Sequence, residues 1–163
     1  MKSFFACIAL SLILVLSSCN SQTAAKYNNA IVGYETELLP QVQLTESNIA
    51  GYAESGKWDS VQSASKRMES SIGDAISKID KLKVPDVTGA GDFKQASIRY
   101  FSYMKSIYAG YSSVASKSTD EERGAEWQRL ATVLKEKDNV VSSYQAAQLK
   151  FTKANNVRIE NAK

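Results

Sequence analysis

The chain has 163 residues with 20 Lys and Arg against 17 Asp and Glu, a net charge of +3, two cysteines and no histidine. So small a net charge lacks the electrostatic footprint of a nucleic-acid binder, and no nucleic-acid partner is expected. The missing histidine removes the commonest general base and the commonest transition-metal ligand, and with them Ser-His triads, zinc sites and Glu-x-x-His di-iron bundles. No catalytic residues, no metal and no cofactor are therefore expected, and the protein is read as a non-enzyme.

The first residues read as an address. Lys2 precedes an uncharged run over residues 4–16, the basic start and apolar stretch of a secretory signal. A membrane span needs about 17–25 apolar residues, and this run meets Ser17, Ser18 and Asn20 too early. The motif Leu16-Ser17-Ser18-Cys19 resembles the lipobox of bacterial lipoproteins, in which an aliphatic and two small residues precede a cysteine that is diacylated and then exposed by cleavage. The resemblance implies removal of residues 1–18, lipidation of Cys19 and attachment to a membrane through that lipid. Asn20 stands where an aspartate would resemble an inner-membrane retention signal, so the outer membrane of a Gram-negative bacterium is implied. Some surface-exposed lipoproteins of Bacteroidota carry acids just after the cysteine, whereas "NSQTAAK" has none, which favours the periplasmic face. Cys7 would leave with the signal and Cys19 would be consumed by lipid, so no thiol remains for a disulfide or a redox pair.

Residues 19–26 are expected as a lipidated cysteine with a short polar tether, and residues 27–163 as one four-helix domain. Apolar residues then step by threes and fours. The first helix uses Tyr27, Ile31, Tyr34, Leu38, Ile49 and Tyr52, and Pro40 should kink or interrupt it because its ring removes a donor and crowds the preceding turn. In "AESGKWDS", Gly56 can take the left-handed cap conformation that closes a helix. The second helix carries Trp58, Val61, Ser65, Met68, Ile72, Ala75, Ile79 and Leu82 and stops at Pro85. After the loop "VPDVTGAGD", Phe93 opens a third helix with Ser97, Tyr100, Met104, Ile107, Tyr111 and Val114 on one stripe, which Phe101 and Tyr108 widen. "STDEERGAEW" announces the fourth, with Thr119 and Glu122 at capping-box spacing. Trp127, Leu130, Leu134, Val141, Tyr144 and Phe151 then run down about 40 residues. The fold expected is all-α, an antiparallel up-down-up-down four-helix bundle with its first helix kinked or broken near Pro40.

"TGAGD" is glycine-rich before a helix but lacks the Gly-Lys-Ser/Thr ending and the preceding strand of a phosphate loop. Asp120, Glu121 and Glu122 point different ways on a helix and serve its positive first turn. The aromatic run "YFSYMKSIYAGY" allows Tyr100, Met104, Tyr108 and Tyr111 to line a groove for a small apolar ligand, although phenols packed in a core are the plainer reading. The stretches "YNNAIVGYETEL" and "LKVP…FKQASIRYF" resemble small helical lipoproteins of Bacteroidota and, more faintly, a family of surface proteins first described in spirochaetes, with no activity to transfer.

Charge is distributed unevenly. Residues 20–80 carry five basic and eight acidic side chains, and residues 81–163 fourteen and nine. In an up-down-up-down bundle the anchor end gathers Lys26, the close of helix two and the close of helix four, with Lys150, Lys153 and Arg158. The far end gathers Glu46, Glu54, Asp59, Asp120, Glu121, Glu122 and Glu126. Complementing helix termini explains part of this, and contact of the basic end with anionic headgroups is the functional reading. The function expected is a lipid-anchored envelope protein binding a protein or another envelope component, with carriage of a small apolar ligand as the alternative.

Overall fold

A computed structural model describes the backbone of residues 3–158 and the side chains of residues 20–158. The helices are α1 (Ser3–Glu54), α2 (Trp58–Lys81), α3 (Ala90–Ala115), α4 (Asp120–Lys135) and α5 (Lys137–Ala154), and no strand occurs among the described residues. α4 and α5 are consecutive stretches of the fourth rod, so the architecture is an all-α four-helix bundle. Every buried hydrophobic side chain described lies between Ala24 and Phe151. Residues 1–18, expected as a signal peptide, and Cys19, expected as the lipidation site, lie outside the described side chains.

Hydrogen bonds between the helices fix their directions. Tyr100 Oη donates to Glu35 and Tyr111 Oη to Glu46, so α3 ascends with α1 in constant register over three turns. Along α5 the partners descend instead: Ser21 Oγ donates to the Asn156 carbonyl, Gln148 Nε2 to Asn28, and Tyr144 Oη to Glu35. α5 is therefore antiparallel to α1.

Local chemistry explains the helix ends. Gly56 (φ +66) is the left-handed residue of a Schellman motif closing α1, with Lys57 N–H on the Tyr52 carbonyl and Gly56 N–H on that of Ala53. Asn156 (φ 53) plays the same part after α5, with Val157 N–H on the Thr152 carbonyl. The α2 terminus is closed by a side chain from the next helix: Lys94 Nζ, buried, donates to the carbonyls of Asp80 and Leu82. Thr119 and Glu122 form the capping box in full, and the hydrogen bonds from Thr119 hold the Glu122 carboxyl below its ordinary range.

Three elements differ from expectation, and at Pro40 one of the two expected outcomes, an interruption, is absent. α1 passes through Pro40 without a break. The proline is exposed, so the carbonyl it cannot serve faces water, and Gln41 Nε2 donates to the neighbouring Glu37 carbonyl at 3.2 Å. Residues 20–26, expected as a tether, are helical turns of α1 with Ala24 fully buried, because Ala24 and Tyr27 continue the same apolar face. The fourth rod is interrupted at Glu136, where the stripe from Leu130 and Leu134 to Val141 requires an inward residue at 137 or 138 and finds Lys137 and Asp138. On α3 the buried face runs through Phe93, Ser97, Phe101, Tyr108 and Ser112, and Tyr100, Met104, Ile107 and Tyr111 occupy its shoulder. Small residues set this rotation. Ala64, Ser65 and Ala75 on α2 and Ser97 and Ser112 on α3 are all buried, and the hydroxyls of Ser65 and Ser97 return to their own helix four residues back.

Two core clusters result. The distal one joins α1, α2 and α3 around Leu38, Ile49, Met68, Ile72, Phe101 and Tyr108. The proximal one joins α1, α3 and α5 around Ala24, Tyr27, Ile31, Phe93, Tyr144 and Phe151.

Candidate functional site

Two half-buried carboxylates on α1 each face tyrosines. Glu35 accepts from Tyr100 Oη at 2.9 Å and from Tyr144 Oη at 3.3 Å, and the two phenol rings stack with centroids 4.6 Å apart and planes at 4°. Three turns further on, Glu46 accepts from Tyr111 Oη at 3.3 Å beside Tyr108. Burial raises the pKa values of Tyr100, Tyr108 and Tyr144 above the ordinary phenol value, and the neighbouring carboxylates raise them further. The same causes push Tyr111 up to about 12. All four phenols are thus neutral at physiological pH. Tyr100, Tyr111 and Tyr144 donate hydrogen bonds to these carboxylates.

Tyr100, Met104, Tyr108 and Tyr111, the residues expected to border a ligand groove, all pack against the distal cluster. Tyr108 is buried, and the other three are half-buried at the seam between α1 and the fourth rod. Phe101 meets Tyr100 edge-on, and Trp127 meets Tyr111 in the same way. The surface hollows described on the molecule have other linings. The Glu35 and Glu46 partnerships escape a reading by local spacing, because each is formed across 65 residues of sequence. The signal that was present is the equal spacing of eleven in Glu35/Glu46 and Tyr100/Tyr111, three turns on parallel helices.

The end of the bundle nearest residue 20 assembles as the topology requires. Asn155 Nδ2 donates to the Thr88 carbonyl at 2.8 Å, joining the α5 terminus to the loop before α3. A hollow of about 390 Å3 at this end is lined by Asn20, residues 86–88 and residues 154–156. Lys150, Lys153 and Arg158 are all exposed, and Lys150 lies 3.9 Å from Asp92 with both side chains more than three-quarters exposed. Such a pair is worth little. Gly89 (φ +78) starts α3, and a Cβ there would meet the Phe151 backbone at 3.9 Å, so "TGAGD" serves as a turn into the helix.

At the opposite end Arg123 lies over the Trp58 ring, 4.6 Å from its centroid, and donates to the carbonyls of Lys117 and Ser118. Glu126 draws in Arg129 at 2.7 Å, Lys117 at 3.6 Å and the Ser113 hydroxyl at 3.0 Å. Each acid of this end has a structural use or faces solvent.

Among the described residues no three His, Cys, Asp or Glu side chains converge as metal ligands, and no helix is long and apolar enough to cross a membrane. No protein-family model, curated protein or solved structure matches the chain.

Proposed function

We propose that the protein is a non-enzymatic, lipid-anchored protein of the outer membrane that binds another protein or envelope component through its helical bundle. The observation that carries this reading is the motif Leu16-Ser17-Ser18-Cys19, placed immediately before the first residues of the bundle. Further support comes from the interior, where Glu35, Glu46, Lys94 and Asn155 are engaged by partners within the fold. Carriage of an apolar ligand draws less support, since Tyr100, Tyr108 and Tyr111 are committed to packing and to carboxylates.

Crosslinking in intact envelopes followed by affinity capture tests the binding role, and a specific, reproducible partner is expected. Recovery of the monomer alone across several growth conditions would count against it. The anchor has its own test. Growth with an alkynyl fatty acid should label the wild-type protein and leave Cys19→Ala unlabelled.

A further inference from the structure

The lipid-bearing position and the bundle adjoin. Asn20 is already a residue of α1, Ser21 Oγ donates to the Asn156 carbonyl at 3.2 Å, and Ala24 is fully buried. Ala24 lies five helical steps beyond Cys19, a rise of about 8 Å. A bilayer holding an acyl chain at residue 19 therefore holds the end of the bundle at headgroup depth, with no slack for the domain to lift away.

That end presents Lys81, Lys83, Lys153 and Arg158, all exposed, against the acids Asp80 and Asp86. Val84, an apolar side chain 42% exposed, lies in the loop between them. α2 and α5 finish here while α3 begins, so opposing helix dipoles offset one another. The α2 carbonyls are further neutralised by the buried ammonium of Lys94. The surface side chains then decide the sign of the field, and it is positive. Lys150, one turn higher on α5, is drawn to Asp92 and contributes less.

We propose that this end of the bundle is a docking surface for anionic lipid headgroups, contacted by Lys81, Lys83, Lys153 and Arg158, with Val84 reaching past them. The bundle stands upright on the bilayer, and the turn at Gly56 projects about 50 Å outward, the length of α1 beyond Asn20 at 1.5 Å per residue. The orientation in the cell rests on the lipid-anchor reading. The affinity of the surface for headgroups does not.

The chain from Asn20 onward carries both core clusters and is the material for the test. At low salt it should co-sediment with phosphatidylglycerol vesicles and not with phosphatidylcholine vesicles. Binding should vanish near 1 M salt, where screening acts over about 3 Å. Changing Lys81, Lys83, Lys153 and Arg158 together to Gln should weaken binding at least about tenfold, each cation near the surface contributing up to about fivefold. The same charge removed at Lys57, Lys66, Arg67 and Lys135, exposed elsewhere, should leave binding unchanged. This chain has no cysteine, so Val84→Cys or Ser55→Cys carries a single environment-sensitive fluorophore, and only the probe at 84 should shift to the blue on binding. Equal binding to neutral vesicles, equal losses in the two Gln sets, or a response at 55 would overturn the proposal. The mass of the protein taken from envelopes reports acylation separately: an unmodified mass removes the anchor and leaves the vesicle result standing.

Discussion

α4 and α5 are two halves of one rod that bury very different amounts of themselves. α5 buries Tyr144, Phe151 and Thr152, stacks its rings on Phe93 and Tyr100, and hydrogen-bonds to α1 through Tyr144 and Gln148. α4 buries Leu130 alone, and its backbone approaches only α3 and α5. It leaves Trp127 39% and Leu134 38% exposed. Both halves show helical periodicity, so periodicity reports that a helix has an apolar face and not how much of that face is covered. What covers it is the opposite wall. α1 comes within reach of α5 and not of α4, so the proximal half closes as a core of α1, α3 and α5, and the distal half is α1, α2 and α3 with α4 laid on α3.

The sharpest way to break this comparison is to truncate one buried side chain in each half. Phe151→Ala should cost about 3–5 kcal/mol of global stability, since the ring is 1% exposed between Phe93 and Tyr27. Leu130→Ala falls in the range of about 2–5 kcal/mol for buried Leu, but its effect should be local. Native-state hydrogen exchange reads the difference. Phe151→Ala should lower protection in every helix, whereas Leu130→Ala should speed exchange in α4 with α1 and α2 unchanged. Faster exchange spreading from α4 into α1 would mean that the two halves unfold as one unit.

The half-buried carboxylates offer a smaller contrast of the same kind. Glu35→Ala leaves the hydroxyls of Tyr100 and Tyr144 without their acceptor, the second on a ring 4% exposed, and should cost about 2 kcal/mol. Glu46→Ala removes the 3.3 Å partner of half-buried Tyr111 and should cost about 1 kcal/mol. Urea unfolding of the two variants measures both. A larger loss at Glu46 would place the stronger polar tie in the distal half and reverse the comparison.

Much of this fold is legible in the sequence, and the parts that are not share one cause. Gly56, the Thr119–Glu122 box and the stop before Pro85 are set by local chemistry, and the structure has each where the residues demand it. The rotation of α3 about its axis is not local: it depends on Ala64, Ser65 and Ala75 letting α2 approach closely. The helical turns at 20–26 likewise depend on Phe93 and Phe151 around Tyr27, which look like polar linker until those rings are in place. The cap on α2 comes from Lys94, twelve residues beyond the carbonyl of Leu82 that it serves. The Glu35 and Glu46 partnerships are likewise invisible until the parallel register of α1 and α3 is known.

Alkaline pH probes the same tyrosines together. Their pKa values are raised in the folded protein, so between about 10, the unfolded phenol value, and the folded values the unfolded chain has lost protons that the folded chain keeps. Stability is therefore fully present below about pH 10 and falls as pH rises. The denaturant midpoint should be flat from pH 7 to 9 and decline beyond 10. In Tyr100→Phe and Tyr144→Phe the decline should be shallower, because each removes one proton difference. An unchanged slope in both would mean that these phenols ionise in the folded protein as they do in the unfolded chain.

The smallest effects concern how α4 sits on α3. Gly110 faces Leu130 so closely that a Cβ would lie 2.7 Å from its Cδ1, whereas a Cβ at Gly124, exposed on α4, would meet nothing within 4 Å. In both places the glycine is inside a helix with ordinary backbone, so alanine gains up to about 1 kcal/mol from propensity alone. At Gly124 nothing opposes that gain, and Gly124→Ala should raise the denaturant midpoint. At Gly110 the added methyl must displace Leu130, the single buried side chain of α4, and overpacking costs about 1–3 kcal/mol. Gly110→Ala should therefore lower the midpoint or leave it near the wild type, while exchange in α4 accelerates. Double-mutant analysis with Leu130→Ala separates the two terms: once Leu130 is shortened, alanine at 110 should become favourable by about the amount seen at 124. If Gly110→Ala stabilised the protein with Leu130 intact, α4 would be resting on α3 more loosely than the notch at Gly110 requires.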